Sequence, residues 1–217
     1  MSPLKKFMPT LAAVMIILAP ISCSKNAPTE NGSEGLRINR MYHAQTPLIP
    51  DSEFAFVRTL FRQNNLDLSN LQIYSFQSDQ GSSYVRAYQF YLGLQFFMND
   101  MVFVFDQFGT LSSRSGASIG SFPLDTMPIV SMHDAAILYD SLIAADSWYK
   151  DSLSTFRRKG FDAELGIYDL NVGRGYGFPD YILSWKLTVN GRGEWPVGYM
   201  MADSSKVIYY SNGIIIN

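Results

Sequence analysis

The string in this chain most like a catalytic element is Gly116-Ala117-Ser118-Ile119-Gly120, which has the Gly-x-Ser-x-Gly form of a hydrolase nucleophile elbow. That chemistry needs a strained strand-to-helix turn exposing the serine, and a histidine base to take its proton. Here Phe122-Pro123 follow, no helix start appears before Ser131, and His133 falls in the first turn of that helix. Ser118 therefore reads as part of a small-residue loop crossing toward the helix. Metal chemistry is no better served, because neither His43 nor His133 has a carboxylate or a second histidine at ligand spacing. Gly173-Arg174-Gly175-Tyr176-Gly177 lies between two strands and lacks the strand-to-helix context of a dinucleotide site. Asp146, Asp151, Asp162 and Glu164 would serve a paired-carboxylate hydrolase only if they faced one another across a cleft. A solvated, charged crossing is the plainer reading. We expect no catalytic residue, no cofactor and no metal, and hence not an enzyme.

One residue does point to a chemical event. Cys23 is the single cysteine, and it closes a stretch that runs from Lys5-Lys6 through the apolar block Phe7 to Ile21 and on to Ser22. A short basic region, an apolar core and a small residue before the cut are the parts of an export signal. The stretch resembles a bacterial lipoprotein signal, with Ile21 and Ser22 fitting the lipobox and Pro20 departing from it, since Leu, Val or Ile is usual there. The resemblance implies lipidation of Cys23, cleavage after Ser22 and a mature protein anchored to a membrane through that lipid. A spanning helix needs about 20 apolar residues; this block has 15 positions and carries Pro9 and Pro20. The expected address is the bacterial cell envelope, on the periplasmic side of the outer membrane rather than the cell surface, because Ser24-Lys25-Asn26 shows no acidic run after the cysteine.

The elements behind these residues follow from composition and pattern. The chain has 217 residues, 17% charged and 14% aromatic, with net charge −2. That is a folded composition and not a disordered one, and it carries no electrostatic footprint for nucleic acid. Residues 1–22 read as the signal peptide and 23–48 as a flexible, polar tether. Pro50-Asp51-Ser52-Glu53 starts a helix whose apolar positions are Phe54, Val57, Leu60 and Phe61. Strand-like runs follow at Leu71 to Phe76, Tyr84 to Tyr91, Leu94 to Phe97 and Met101 to Phe105. Ser131-Met132-His133-Asp134 has the form of a capping box before a second helix. Further strands are expected at Ala163 to Leu170, Tyr181 to Val189, Val197 to Ala202 and Val207 to Tyr210. The Tyr181 run alternates, with Tyr181, Leu183, Trp185, Leu187 and Val189 on one face, expected to be packed, and Ser184, Lys186, Thr188 and Asn190 on the other, expected to be wet. The order is helix then antiparallel meander, twice, with modules at 49–120 and 121–217. This is an α+β class with helices packed on antiparallel sheet.

These residues carry a resemblance to the FTP and PepSY modules found in the propeptides of thermolysin-like metalloproteases. Arg86-Ala87-Tyr88-Gln89-Phe90-Tyr91-Leu92-Gly93-Leu94-Gln95-Phe96 is similar to their glutamine-rich aromatic stretch and Gly-hydrophobic step, and Val102 to Gly109 to the apolar strand closed by Asp-x-x-Gly. Ala202 to Ile208 resembles the closing hairpin of the PepSY half, with Ser204-Ser205 where Thr-Gly is usual; Gln95 stands where many propeptides have proline. The resemblance implies a non-catalytic binding module, inhibitor-like, chaperone-like or regulatory, acting on a separate protein or peptide. Trp148, Tyr149, Tyr176 and Tyr199 are the candidate partner-binding aromatics, since Tyr and Trp are favoured at recognition surfaces. An envelope hydrolase with an unrecognised site, and a structural or sensory subunit of a membrane complex, stand as the alternatives.

Overall fold

The structure is a computed structural model, and it describes residues 30–31, 36–41, 46–116, 119, 121–172 and 178–214. The described residues form three α-helices and one mixed sheet of ten strands, an α+β arrangement as expected. Strand β1 is Glu30–Asn31 and β2 is Arg37–Met41. Helix α1 spans Asp51–Gln63 and places Val57, Leu60 and Phe61 in the core. It lies on β3 (Leu71–Asp79), β4 (Ser82–Tyr91), β5 (Leu94–Phe105) and β6 (Leu111–Ser115), where Ile73, Val85, Ala87, Met101, Phe103 and Phe105 receive it.

Helix α2, Met132–Ala145, begins as its capping signal requires: the Asp134 amide donates to Ser131 Oγ at 3.1 Å, and the Ser131 hydroxyl donates to the Asp134 carboxylate at 2.7 Å. A 3-10 turn at Lys150–Ser152 leads into α3, Leu153–Lys159. Strands β7 (Phe161–Asp169), β8 (Tyr181–Val189), β9 (Val197–Met201) and β10 (Val207–Ser211) complete the sheet. The larger core lies between them and α2, around Tyr139, Ile143, Phe161, Trp185 and Leu187. The alternation of β8 holds: Leu183, Trp185, Leu187 and Val189 are buried, and Lys186 and Thr188 are half-buried. Ser184 breaks the pattern by being fully buried on the opposite face.

The strand order is β10-β9-β8-β7-β5-β4-β3. Along one edge, β7 pairs in parallel first with β2, Ile38 to Phe161 through Met41 to Glu164, and then with β5, Gln95 to Gly166 and Phe96 to Ile167. Beyond that contact β5 continues along β6. The sheet is therefore staggered, with β5 shared between the two helix-covered parts.

Several expectations change. The runs Leu94 to Phe97 and Met101 to Phe105 are one strand, turned at Met98, which has φ 60°. Three extra residues on β5, between the Tyr88–Asp100 and Phe90–Gln95 pairs, flip the alternation, so Phe97 faces away from the helices while Met101 faces α1. Strand β6 is Leu-Ser-Ser-Arg-Ser, nearly all exposed and without an apolar signal. Part of the expected tether is a strand: Arg37–Met41 is β2, and Ile38 is completely buried in the α2 core. No helix among the described residues is long and apolar enough to cross a membrane.

Candidate binding surfaces

The described helices cover one side of the sheet, and the other side carries its own small buried cluster of Phe97, Tyr168, Val197 and Tyr199. Tyr88 stands opposite Asp100 on that side and senses the charges of Glu164 and Glu194 as well. Glu164 lies between Ala163 and Leu165, which face α2, so the helix-free faces of both parts coincide. On this face the Tyr74 hydroxyl donates to the Asp100 carboxylate at 2.7 Å, and the Tyr74 ring stacks on Tyr88 at 4.3 Å. Burial, then the Asp100 contact, pushes the Tyr74 phenol up to about 12. Lys186 reaches Glu164 at 3.8 Å, and the Asn39 amide donates to Asp162 at 3.0 Å. Two shallow clefts open beside Glu164, of about 80 Å³ and 160 Å³. Ligand pockets for small molecules run to about 300–1,000 Å³, so neither cleft encloses one.

The chemistry-bearing residues read from the sequence do not converge. Asp146 accepts from the Trp148 amide at 2.8 Å and from the Tyr210 hydroxyl at 3.0 Å, on the helix side. Asp162 and Glu164 are on the helix-free face, and Asp151 is exposed on the 3-10 turn. His133 is half-buried in the first turn of α2. Among the described residues no three His, Cys, Asp or Glu side chains group to hold a metal. Ser118, His43, the Gly173–Gly177 segment with Tyr176, and Ser22-Cys23 lie outside the described residues.

The candidate aromatics are dispersed. Trp148 is 61% exposed. Tyr149 is half-buried, donates its hydroxyl to the Asn212 carbonyl at 2.9 Å and packs on the α2 core. Tyr199 is buried on the opposite face against Phe97 and Tyr168, with its phenol held above the ordinary range chiefly by burial. Burial leaves Tyr199 little surface for a partner, whereas Tyr149 keeps part of its side chain exposed.

The exposed apolar surface lies elsewhere. At the end of the sheet where β7 and β9 finish, Phe178 is 92% exposed, Ile129 81% and Met127 74%. Residues 121–130 run extended across this end: Phe122 stacks on Tyr91 at 4.6 Å, and Ile129 and Val130 both donate their amides to the Ala202 carbonyl. Trp185 Nε1 donates to the Val130 carbonyl at 2.9 Å and pins the segment from within. Even-numbered positions Phe122, Leu124 and Val130 turn inward while Asp125, Met127 and Ile129 stay out. Asp180 and Asp203 are also exposed here.

No family model matches the sequence, and no curated protein matches it. Among solved structures, the chain is distantly similar to the Bacillus megaterium YpeB C-terminal domain, with TM-score 0.38 and 10% identity over 75% of this chain. The match spans 65% of that chain's length.

Proposed function

We propose that this is a non-catalytic, lipid-anchored envelope protein whose folded part binds an extended segment of a separate protein, as an inhibitor, chaperone or regulator would. The observation that carries the proposal is the exposure of Phe178, Ile129 and Met127 at one end of the sheet. Large apolar side chains left exposed at one end of a sheet suit a protein contact. Asp125, Asp180 and Asp203 form the rim, so the fitting partner segment is apolar with basic flanks. The helix-on-strands order, met once with α1 and again with α2, supports reading the two parts as FTP-like and PepSY-like modules. The lipid at Cys23 would hold this surface on the periplasmic side of the membrane.

Photo-crosslinking in cells tests the proposal. A photoreactive residue at position 178 or 129 of the full chain should capture one common protein. One at Phe108, which is 80% exposed on a different hairpin, should not. Capture should disappear when Ile129→Asp is added to the position-178 probe. No common protein from positions 178 and 129 sinks the reading.

A further inference from the structure

We propose that the opposite end of the sheet, where β7 and β9 begin, docks on the anionic headgroups of the bilayer that holds Cys23. Arg37, Arg158, Lys159 and Arg192 meet the phosphates, and Trp148 and Trp195 enter the interface. The proposal rests on the reading that Cys23 is acylated.

The residues are far apart in the chain and are brought together by four elements. Gly160, between α3 and β7, has no room for a side chain because a Cβ there would lie 2.7 Å from the Arg37 carbonyl. The Asn190 amide donates to the Gly160 carbonyl at 3.0 Å, which brings the β8–β9 loop alongside. From that loop the Arg192 guanidinium lies 4.8 Å over the Tyr149 ring and 4.9 Å over Phe156. Trp195, 41% exposed, sits against the backbone at Gly213, and Tyr149 is tied to Asn212 beside it. All four basic side chains are exposed. Trp148 and Trp195 are two of the three tryptophans, and the third, Trp185, is in the core.

Acidic groups at this end are mostly engaged. Asp140 is bound by Arg157, and Asp146 by Tyr210 and the Trp148 amide. Asp162 accepts from the Asn39 amide, and Asp151 and Glu194 remain as exposed acids at the rim. The face is therefore net cationic with tryptophan at its margin, the combination that suits a bilayer interface.

Chain length selects the bilayer as the occupant. Glu30 pairs with Ile38, one residue from this end, and Cys23 precedes Glu30 by seven residues. Fully extended, that leash reaches no more than about 25 Å. An acyl group within that reach holds the domain close to the bilayer; the chain before Glu30 leads away from this end, so it is the basic patch, the second signal that a single lipid anchor needs, that turns this end to the headgroups.

The test uses the processed protein purified from membranes and reconstituted in vesicles of phosphatidylcholine, or of phosphatidylcholine with 30% phosphatidylglycerol. Brominated lipid quenches tryptophan only at the bilayer, and Trp185 is shielded. Quenching is expected in the phosphatidylglycerol vesicles at low salt and is lost at high salt. Each cation near an anionic surface strengthens binding about fivefold, so Arg158→Glu/Lys159→Glu should weaken docking at least tenfold. Arg58→Glu/Arg62→Glu, the same charge change on α1, should leave it intact, and matching thermal melts show that both variants fold. No quenching on phosphatidylglycerol, or equal loss in both variants, overturns the proposal. A crosslink from position 148 to a protein in place of lipid also overturns it. Mass spectrometry reports acylation separately. If Cys23 carries no lipid, that reading alone fails, and cosedimentation of the same protein with phosphatidylglycerol vesicles then decides the docking surface.

Discussion

The Arg157 guanidinium grips the Asp140 carboxylate with two parallel hydrogen bonds, Nε to Oδ1 at 2.9 Å and Nη2 to Oδ2 at 2.6 Å. This fork joins α2 to α3. The Asp140 side chain is only 12% exposed, whereas that of Arg157 is 54% exposed. Solvent screening on the arginine side lowers the value of the pair, yet the bidentate geometry is the favourable one. Asp140→Ala should destabilise the fold by about 1 kcal/mol. Arg157→Ala should cost about as much, because it strips a nearly buried carboxylate of its donors. A double-mutant cycle in urea checks the pairing. Additive losses would show that the two residues act independently.

At the join between the two helix-covered parts, Gly166 of β7 faces Gln95 of β5 across the parallel pair. A Cβ at Gly166 would lie 2.7 Å from the Gln95 carbonyl and would overlap the Phe97 ring. Backbone cannot move aside as a flexible side chain can. Gly166→Ala should destabilise by about 1–3 kcal/mol, the usual cost of overpacking. Gly193→Ala, at an open loop position with φ 81°, should cost about 1 kcal/mol from backbone strain alone. Chemical denaturation of both variants tests the ranking, and the reverse order would contradict the described β5–β7 contact.

Tyrosines give the fold an alkaline limit. Burial holds the phenols of Tyr139, Tyr199 and Tyr210 above the ordinary range, and Tyr74 is pushed up to about 12 by burial and Asp100. In the unfolded chain the same groups ionise near 10. The native state therefore retains protons that the unfolded state releases. Stability contributed this way is complete below pH 10 and declines as pH rises through the folded values. Urea midpoints should be flat from pH 7 to 9 and fall steeply above 10. Tyrosinate absorbance in native protein should lag behind that of the unfolded chain. A flat midpoint to pH 11.5 would contradict it.

Replacement of Cys23 by alanine separates the two ways of holding the chain to a membrane. Cys23→Ala should prevent acylation and release the protein into the soluble fraction if the lipid is the anchor. Fractionation of cells carrying either form checks this. A variant that stays with the membrane through a high-salt wash, which removes electrostatic docking, would show that the Phe7–Ile21 block holds it instead.

What was legible in the sequence was the local part of the structure. Helix α1 and the capped start of α2 announce themselves through spacing and through Ser131 and Asp134, and β8 through its alternation. Tertiary context decided the rest. Arg37–Met41 has one strongly apolar residue facing inward, Ile38, and becomes a strand only because β7 offers it an edge. Strand β6 has a single apolar residue, Leu111, against the α1 core and exists by pairing with β5. Of the candidate aromatics, Trp148 is at the surface while Tyr149 and Tyr199 are drawn into packing, a distinction residue type alone does not make. The basic end was hidden for another reason. Arg157-Arg158-Lys159 is a run of only three, and the cluster forms when Arg37 and Arg192 are folded in beside it around Gly160.

The hydrogen bond from Asn39 to Asp162 joins residues 123 positions apart, along the parallel pairing of β2 with β7. A chain emerging from its N-terminus cannot make that pairing until three quarters of its length has appeared. Early in emergence, then, the segment nearest Cys23 has no partner strand and Ile38 has no core to enter. Contacts of such long range also form slowly. In the export route proposed here, this delay leaves the processing site on uncommitted chain while the lipid is attached and the leader removed. Closure of β2 onto β7 would then mark the moment at which a modified protein becomes a finished one.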